Sequence, residues 1–323
     1  MGEGAARLPT NIGTSARERR IVGLCSTVFV PLDGTPQSAA ALPLARALAQ
    51  ACHGQIVLIR VAAAPHECDE AARYLVRIAR EFEKGDVAVV TEVCSAVEVA
   101  AQLLWTVRDR RINAIVMATH GRRGLQRAVM GSVAESLVRD SPVPVLLVRP
   151  GDHRTTGVHT LLVPVDGTPG GALALGNAIA LARATGARIV LLEVTVPIPL
   201  WMYSTAFSGP VAVPVDPSWN DDALTSAQSY VGALATRLRA IGIEADARAR
   251  IGDIVPTIDA VADEVDADLI VIATHARVGV ARAFLGSTAD AVVRTAQRPV
   301  LLVRRDTHGQ PRTVSVEPVA TSA

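Results

Sequence analysis

Short apolar runs rich in Val, Ile and Leu alternate with longer stretches whose apolar residues recur at helical spacing, from about residue 22 to residue 303. The runs 22–32, 56–61, 87–93, 112–118 and 144–148 predict five strands; 160–165, 188–194, 245–250, 268–273 and 299–303 predict five more. Each run is nearly continuous in apolar character, as in parallel strands covered on both faces. Thr35-Pro36 and Thr168-Pro169 predict helix starts, an N-cap followed by proline at the first helical position. Gly54 and Gly186 predict left-handed helix ends, and Pro43 predicts a kink or a delayed start in the first helix. The alternation predicts the α/β class, with open parallel sheets covered by helices on both sides.

The pattern occurs twice. VFVPLDGT at 28–35 returns as LLVPVDGT at 161–168, and IVLIRV at 56–61 returns as IVLLEV at 189–194, both at an offset of 133. MATHGRRGLQRAVMGSVAESLVR at 117–139 returns as IATHARVGVARAFLGSTADAVVR at 272–294, and PVLLVR closes both copies, now at an offset of 155. The same motifs in the same order mark a tandem duplication with a net insertion of 22 residues in the second copy. Two domains are expected, 21–150 and 159–304, joined by a linker at 151–158. The polar, aperiodic ends 1–20 and 305–323 are expected to be mobile tails. The insertion is placed at 197–222, where Trp201, Tyr203, Phe207 and Trp219 are interleaved with five prolines. It leaves the C-terminal end of a strand, where open α/β sheets bind ligands. A lid, a partner contact and a loop packed on the scaffold are all compatible with that position.

A length of 323 residues suits two domains of about 150. Half the chain is hydrophobic but only 3% is aromatic, so the cores must be aliphatic. With 32 basic and 31 acidic residues, the chain has no electrostatic footprint for nucleic acid or an anionic membrane. No apolar run approaches the ~20 residues of a spanning helix. Arg17, Arg19 and Arg20 precede no compact apolar core with a cleavage site, so a soluble cytoplasmic protein is expected. The four cysteines, Cys25, Cys52, Cys68 and Cys94, form no Cys-x-x-Cys pair, which argues against a disulfide framework or structural zinc. Cys52-His53 and His66-x-Cys68 are weak metal-ligand candidates beside their reading as reduced thiols, and no metal site is assigned.

Lys84 is the only lysine, and it lies outside any Gly-x4-Gly-Lys-[Ser/Thr] loop, so a Walker A site is excluded. G-x-G-x-x-G after a first strand and G-x-S-x-G are also absent. His120 and His275 occupy equivalent positions, but neither has a serine or cysteine nucleophile in its motif. The distinctive feature is the loop after the fourth strand: Ala118-Thr119-His120-Gly121-Arg122-Arg123-Gly124, then six residues, then Gly131-Ser132 at a helix start. Glycines let backbone amides approach an anion, a helix N-terminus offers unpaired N–H groups, and the arginines add positive charge. The same loop also reads as a connection that needs glycine for tight packing. Asp33, and its counterpart Asp166, ends the first strand of each copy. In a sheet of order 3-2-1-4-5, Asp33 shares the switch-point crevice with the 118–132 loop. There it could bind an adenine amino group or a ribose hydroxyl, or organise its own turn as an Asx or N-cap residue.

Taken together, V-P-x-D-G-T, A-T-H-G-R-R-G-L, the G-S helix start and the closing P-V-L-L-V-R resemble the universal stress protein family, twice over. The resemblance implies two five-stranded parallel-sheet domains of order 3-2-1-4-5 and, in the ATP-binding branch, the pattern G-x2-G-x9-G-[S/T]. It implies a site in the first copy from Pro31, Asp33, Val61, Ala118, Thr119, His120, Gly121, Arg122, Arg123, Gly124, Gly131, Ser132 and Val133. Asp33 and Val61 would meet the adenine end; Gly121, Gly131, Ser132 and Val133 would meet the phosphates. The second copy offers Pro164, Asp166, Val194, Ala273, His275, Ala276, Arg277, Gly279, Gly286, Ser287 and Thr288. Ala118 replaces the first pattern glycine in copy one; Ala273 and Ala276 replace two in copy two. If Gly121 is left-handed, alanine at the equivalent place costs about 1–2 kcal/mol, a tenfold loss or more. Copy one is therefore expected to bind ATP better than copy two. Magnesium can accompany the nucleotide, with no dedicated protein site. The family implies pairing through the final strands, of the two copies with each other and of chains into a homodimer. Its implied role is a nucleotide-dependent stress-response regulator with a protein partner. No catalytic residue is assigned, since the motif supplies no water-activating base, metal-binding carboxylate pair or catalytic lysine. A nucleotide-free interaction scaffold and a weak ATPase are the alternatives.

Overall fold

The computed structural model describes residues 23–82, 87–119, 130–151, 157–197, 218–274 and 286–304. The first half runs β1 (Thr27–Pro31), α1 (Pro36–Ala39), α2 (Leu42–Ala51), β2 (Gln55–Ala62), α3 (Cys68–Phe82), β3 (Ala88–Ser95), α4 (Val99–Asp109), β4 (Ala114–Ala118), α5 (Ser132–Asp140) and β5 (Val145–Val148). The second runs β6 (Thr160–Pro164), α6 (Pro169–Thr185), β7 (Arg188–Thr195), α7 (Ser218–Ala240), β8 (Ala245–Ile251), α8 (Ile254–Glu264), β9 (Leu269–Thr274), α9 (Ser287–Thr295) and β10 (Val300–Arg304). Each half has the expected strand order, and the halves join into one sheet: β3-β2-β1-β4-β5-β10-β9-β6-β7-β8. All neighbours are parallel except β5 and β10, which run antiparallel with Leu301 opposite Leu146.

Alternate strand residues feed two aliphatic cores, one on each face of this sheet. Val28, Val30, Ile56 and Leu58 belong to one core; Phe29, Val57, Ile59 and Ile115 belong to the other. Both cores cross the seam, since Leu301 and Val303 enter the first and Val300 and Leu302 the second. Arg149 adds a polar tie by donating to the Arg294 carbonyl at 2.6 Å. The outer edges are charged: on β8, Arg250 lies 2.9 Å and Arg248 3.7 Å from Glu264, and Glu92 of β3 lies 3.4 Å from Arg110. Such edges discourage strand addition. The pairing of the two copies through their final strands is therefore observed, but a homodimer through those strands requires correction. β5 is flanked by β4 and β10, and β10 by β5 and β9, so neither has an open edge for a second chain.

Local expectations divide along physical lines. Thr35 caps α1, its hydroxyl accepting from Ser38 N–H at 3.2 Å, and Pro43 stands in the first turn of α2, so the helix breaks and restarts there. The left-handed position after α2 belongs to His53 (φ 48°), equivalent to Gly186 (φ 74°) after α6, and Gly54 is not the cap. Gly54 is needed for closeness instead: a Cβ there would collide with the Cys25 carbonyl oxygen. The aromatic insertion ends earlier than 222, because Ser218 already opens α7, a 23-residue helix against 15 residues in α3. Residues 198–217, the two tails and 152–156 of the linker lie outside the described residues.

These contacts give two glycines opposite signs. Gly54→Ala is expected to destabilise by about 1–3 kcal/mol or more, because a backbone carbonyl must move. Gly176→Ala, within α6 and with nothing within 4 Å of the added methyl, is expected to stabilise by about 0.5–1 kcal/mol. Urea unfolding midpoints of both variants check the pair.

Candidate functional site

β1 pairs with both β2 and β4, so the strand order reverses beside it, and the carboxyl ends of β1 and β4 lie on one edge of the sheet. Pro31 ends β1 and sends the chain into a turn built by Asp33. Its Oδ1 accepts from Thr35 N–H at 2.9 Å and from the Thr35 hydroxyl at 2.6 Å, while Asp33 N–H donates to Ser38 Oγ at 3.3 Å. Pro164 ends β6 in the same way, and Asp166 accepts from Thr168 N–H at 3.0 Å and from its hydroxyl at 2.6 Å. The turn-organising reading of this aspartate is thus realised in both halves through one carboxylate oxygen.

Beside Asp33 the structure places a residue that sequence reasoning counted only as strand. Arg60 of β2 is nearly buried, with 11% of its side chain exposed. Its guanidinium lies 5.3 Å from the Tyr74 ring centroid and 3.6 Å from the Glu70 carboxylate. Gly34 (φ 90°) makes room for it, since a Cβ there would stand 3.0 Å from the guanidinium. These residues, with Asp33, Arg73 and Arg77, line a hollow of about 530 Å³. Burial and the Asp33 charge push the Tyr74 hydroxyl up, partly offset by Arg60, Arg77 and a bond with Ser38.

The same strand position in the second half is Glu193. One of its carboxylate oxygens is buried with no hydrogen-bond partner among the described residues. Burial and then the Asp166 charge push its carboxyl up. Tyr230 is raised too, by burial, Glu193 and Asp166, against a bond donated by Gly167 N–H. One half therefore sets a cation beside its turn aspartate, and the other sets a second carboxylate. The signal was present in IVLIRV against IVLLEV, where one inner position of an apolar run is Arg in one copy and Glu in the other.

On the opposite face of the sheet from Arg60, Val61, Met130 and Val133 each pack, partly exposed, against the core of Phe29, Val57, Ile59 and Ile115. Ala118 and Thr119 are buried at the end of β4. Thr119 N–H donates to Val148 O at 2.9 Å, and its carbonyl accepts from Gly131 N–H at 3.0 Å. The chain thus leaves β4 and returns to the same point before Ser132 opens α5, exposed and with no side chain capping the helix. Gly131 has ordinary extended backbone (φ −66°, ψ 151°), and a Cβ there would stand 3.6 Å from Thr119 O, so nothing among the described residues demands glycine there. Gly286 (φ 84°, ψ 146°) does need to be glycine. His120, Gly121, Arg122, Arg123 and Gly124 lie outside the described residues, as do His275, Ala276, Arg277 and Gly279.

In the second half, Ser287 and Thr288 line a hollow of about 350 Å³ with Asp253, Val255 and Val196, between the N-termini of α8 and α9. Val194 packs against the same core as Val61, and Ala273 against the other core. The Asp33 hollow and the Ser132 helix start are not joined into one cavity among the described residues. What the described residues of the first half offer chemically is an apolar seat beside a helix N-terminus with no side-chain cap among them, which suits a flat ring joined to an anion. Among the described residues no three His, Cys, Asp or Glu gather to hold a metal ion.

A family model described as the universal stress protein family matches residues 26–149 and again 157–304. A universal stress protein of Mycolicibacterium smegmatis is 26% identical over 192 residues, covering 59% of this chain and 61% of that protein. One of Methanocaldococcus jannaschii is 31% identical over 81 residues, 25% of this chain and 47% of that protein. The matches thus span about three-fifths and half of those curated relatives. In fold, the chain is similar to a universal stress protein from Archaeoglobus fulgidus, with a TM-score of 0.65, 19% identity, and coverage of 87% of this chain and 99% of that one. It is similarly close to one assigned to the same family from Pseudomonas aeruginosa, with a TM-score of 0.64, 19% identity, and coverage of 87% and 95%.

The carboxyl of Glu193 yields a pH prediction. Its folded pKa is raised above the ordinary value, so the stability linked to it is fully present below the unfolded pKa and is lost as pH rises through the folded pKa. Glu193→Gln is expected to melt higher than wild type at neutral pH and above, with the gap closing as pH falls through the raised folded pKa and gone once pH is below about 4.3. Equal melting temperatures across that range would show that Glu193 ionises without hindrance.

Proposed function

Since the chain belongs to the universal stress protein family, we propose that its first half binds ATP and that occupancy regulates a stress response through a protein partner. The observation that carries this reading is the helix start at Ser132. Among the described residues no side chain caps it, nothing around Gly131 requires glycine, and Val61 and Val133 supply apolar surface on the same side of the sheet. A glycine that packing does not need is accounted for by the approach of a ligand. Thr119, His120, Gly121 and the arginines at 122 and 123 complete the phosphate loop in this proposal. Asp33 holds the turn at the adenine end, with Arg60 offsetting its charge.

The second half is the weaker site for the same ligand. Asp166 and Glu193 set two carboxylates where the first half has a carboxylate and a guanidinium, which disfavours a polyanion within a Debye length. Ala276 adds a methyl where Gly121 has none. The protein acts as a sensor, with any hydrolysis incidental, and magnesium enters with the nucleotide. No described helix is long and apolar enough to cross a membrane, and we place the protein in the cytoplasm. Its contact with a regulatory partner leaves the final strands untouched, since these are already paired.

Gly131→Ala is expected to weaken ATP binding about tenfold or more, with little change in melting temperature. Ser132→Ala is expected to cost about 0.5–1.5 kcal/mol of binding, from one lost hydrogen bond. Calorimetric titration checks both, and chromatography after denaturation gives the nucleotide carried per chain. Freshly purified protein without purine, together with no heat of binding on titration, would leave a paired scaffold as the surviving reading.

A further inference from the structure

At the opposite, N-terminal end of the strands, the first half holds two thiols side by side. Cys25 lies two residues before β1 and is 1% exposed. Cys52 is the C-cap residue of α2, partly exposed, and packs against the core cluster that contains Cys25. The backbone presses the two segments together: Gln55 N–H donates to Ser26 O at 3.0 Å, and Gly54 passes directly against the Cys25 carbonyl. Hydrogen bonding with the Cys52 thiol, followed by burial, pushes Cys25 up, and hydrogen bonding with Cys25 draws Cys52 down against its own burial. The fold does not require the pair. At the equivalent positions the second half has Val158, buried, and Thr185, whose hydroxyl donates to Leu181 O at 2.9 Å. Cys94 is pushed up by burial and then by the Glu92 charge rather than by a thiol neighbour.

We propose that Cys52 and Cys25 form a reversible oxidation site for hydroperoxides, with Cys52 reacting first and Cys25 resolving the product to a disulfide. The Cys52 thiolate is the more accessible and more readily formed nucleophile. It attacks a peroxide oxygen, the S–O bond forms as the O–O bond breaks, and the leaving alkoxide takes a proton to depart as an alcohol, or as water from hydrogen peroxide. The Cys25 sulfur then attacks the sulfenic sulfur; the S–S bond forms, the S–O bond breaks, and the Cys25 proton leaves with the hydroxide as water. One hydroperoxide is reduced by two electrons, two thiols are oxidised, and a low-molecular-weight thiol reverses the reaction by exchange. The site stands apart from the nucleotide site and does not depend on it.

The test uses the full chain, reduced, freed of reductant and exposed to a small excess of hydrogen peroxide before thiol blocking and digestion without reduction. A peptide joining Cys25 to Cys52 is expected, with titratable thiols falling from four to two and returning with dithiothreitol. Cys25→Val is expected to leave Cys52 as a sulfenic acid captured by dimedone. Cys52→Thr is expected to leave Cys25 unmodified and to slow peroxide consumption at least fivefold. Both variants borrow the second half's own residues, and circular dichroism checks that they fold. If either does not, the wild-type peptide map decides alone. Oxidation confined to Cys68 and Cys94, or undiminished peroxide consumption by folded Cys52→Thr, would overturn the proposal.

Discussion

The antiparallel pairing of β5 with β10 is the constraint on which the architecture rests. Each is the last strand of a five-stranded parallel unit, and alone each would expose a row of backbone donors and acceptors. Placed edge to edge, with Leu301 opposite Leu146, they satisfy one another and bring the helices of both halves over a single sheet. Both aliphatic cores then run unbroken across the seam. A tandem repeat thereby becomes one body with pseudo-twofold symmetry, and the free edges that remain, β3 and β8, lie at its far ends.

Symmetry of backbone does not extend to symmetry of charge. Asp33 and Asp166 hold the same turn with nearly the same distances, yet Arg60 stands beside one and Glu193 beside the other. A position in the middle of a parallel sheet has its neighbours fixed by register, so a change of residue there changes field and protonation without changing the fold. Duplication followed by such substitutions lets the two halves diverge in chemistry on one backbone, and the paired thiols of the first half, absent from the second, fit that divergence.

The glycines separate structural need from chemical use. Gly34 and Gly54 are held by close contacts with a guanidinium and a carbonyl, and Gly186 and Gly286 by backbone conformation. Among the described residues Gly131 is held by neither, which is why the proposed ligand is set against it. In sequence all five look alike.

Strand positions, helix starts at Thr35 and Thr168, the break at Pro43 and the duplication were legible in the chain, because period, proline and repetition are local properties. The order of strands followed from the resemblance; the single crevice expected of Asp33 and the 118–132 loop did not, since the Asp33 hollow is lined by Arg60, Tyr74 and Arg77. What local reading could not supply was contact across distance: His53 taking the left-handed turn so that Gly54 can pass Cys25, Arg60 turning into the Asp33 hollow, and Cys52 meeting Cys25 across the start of the sheet. The sequence by itself determined which segments become strands and helices, since alternation and capping act within a few residues. Only the tertiary structure decided which side chains share a neighbourhood, because register and packing bring together residues that no spacing along the chain relates.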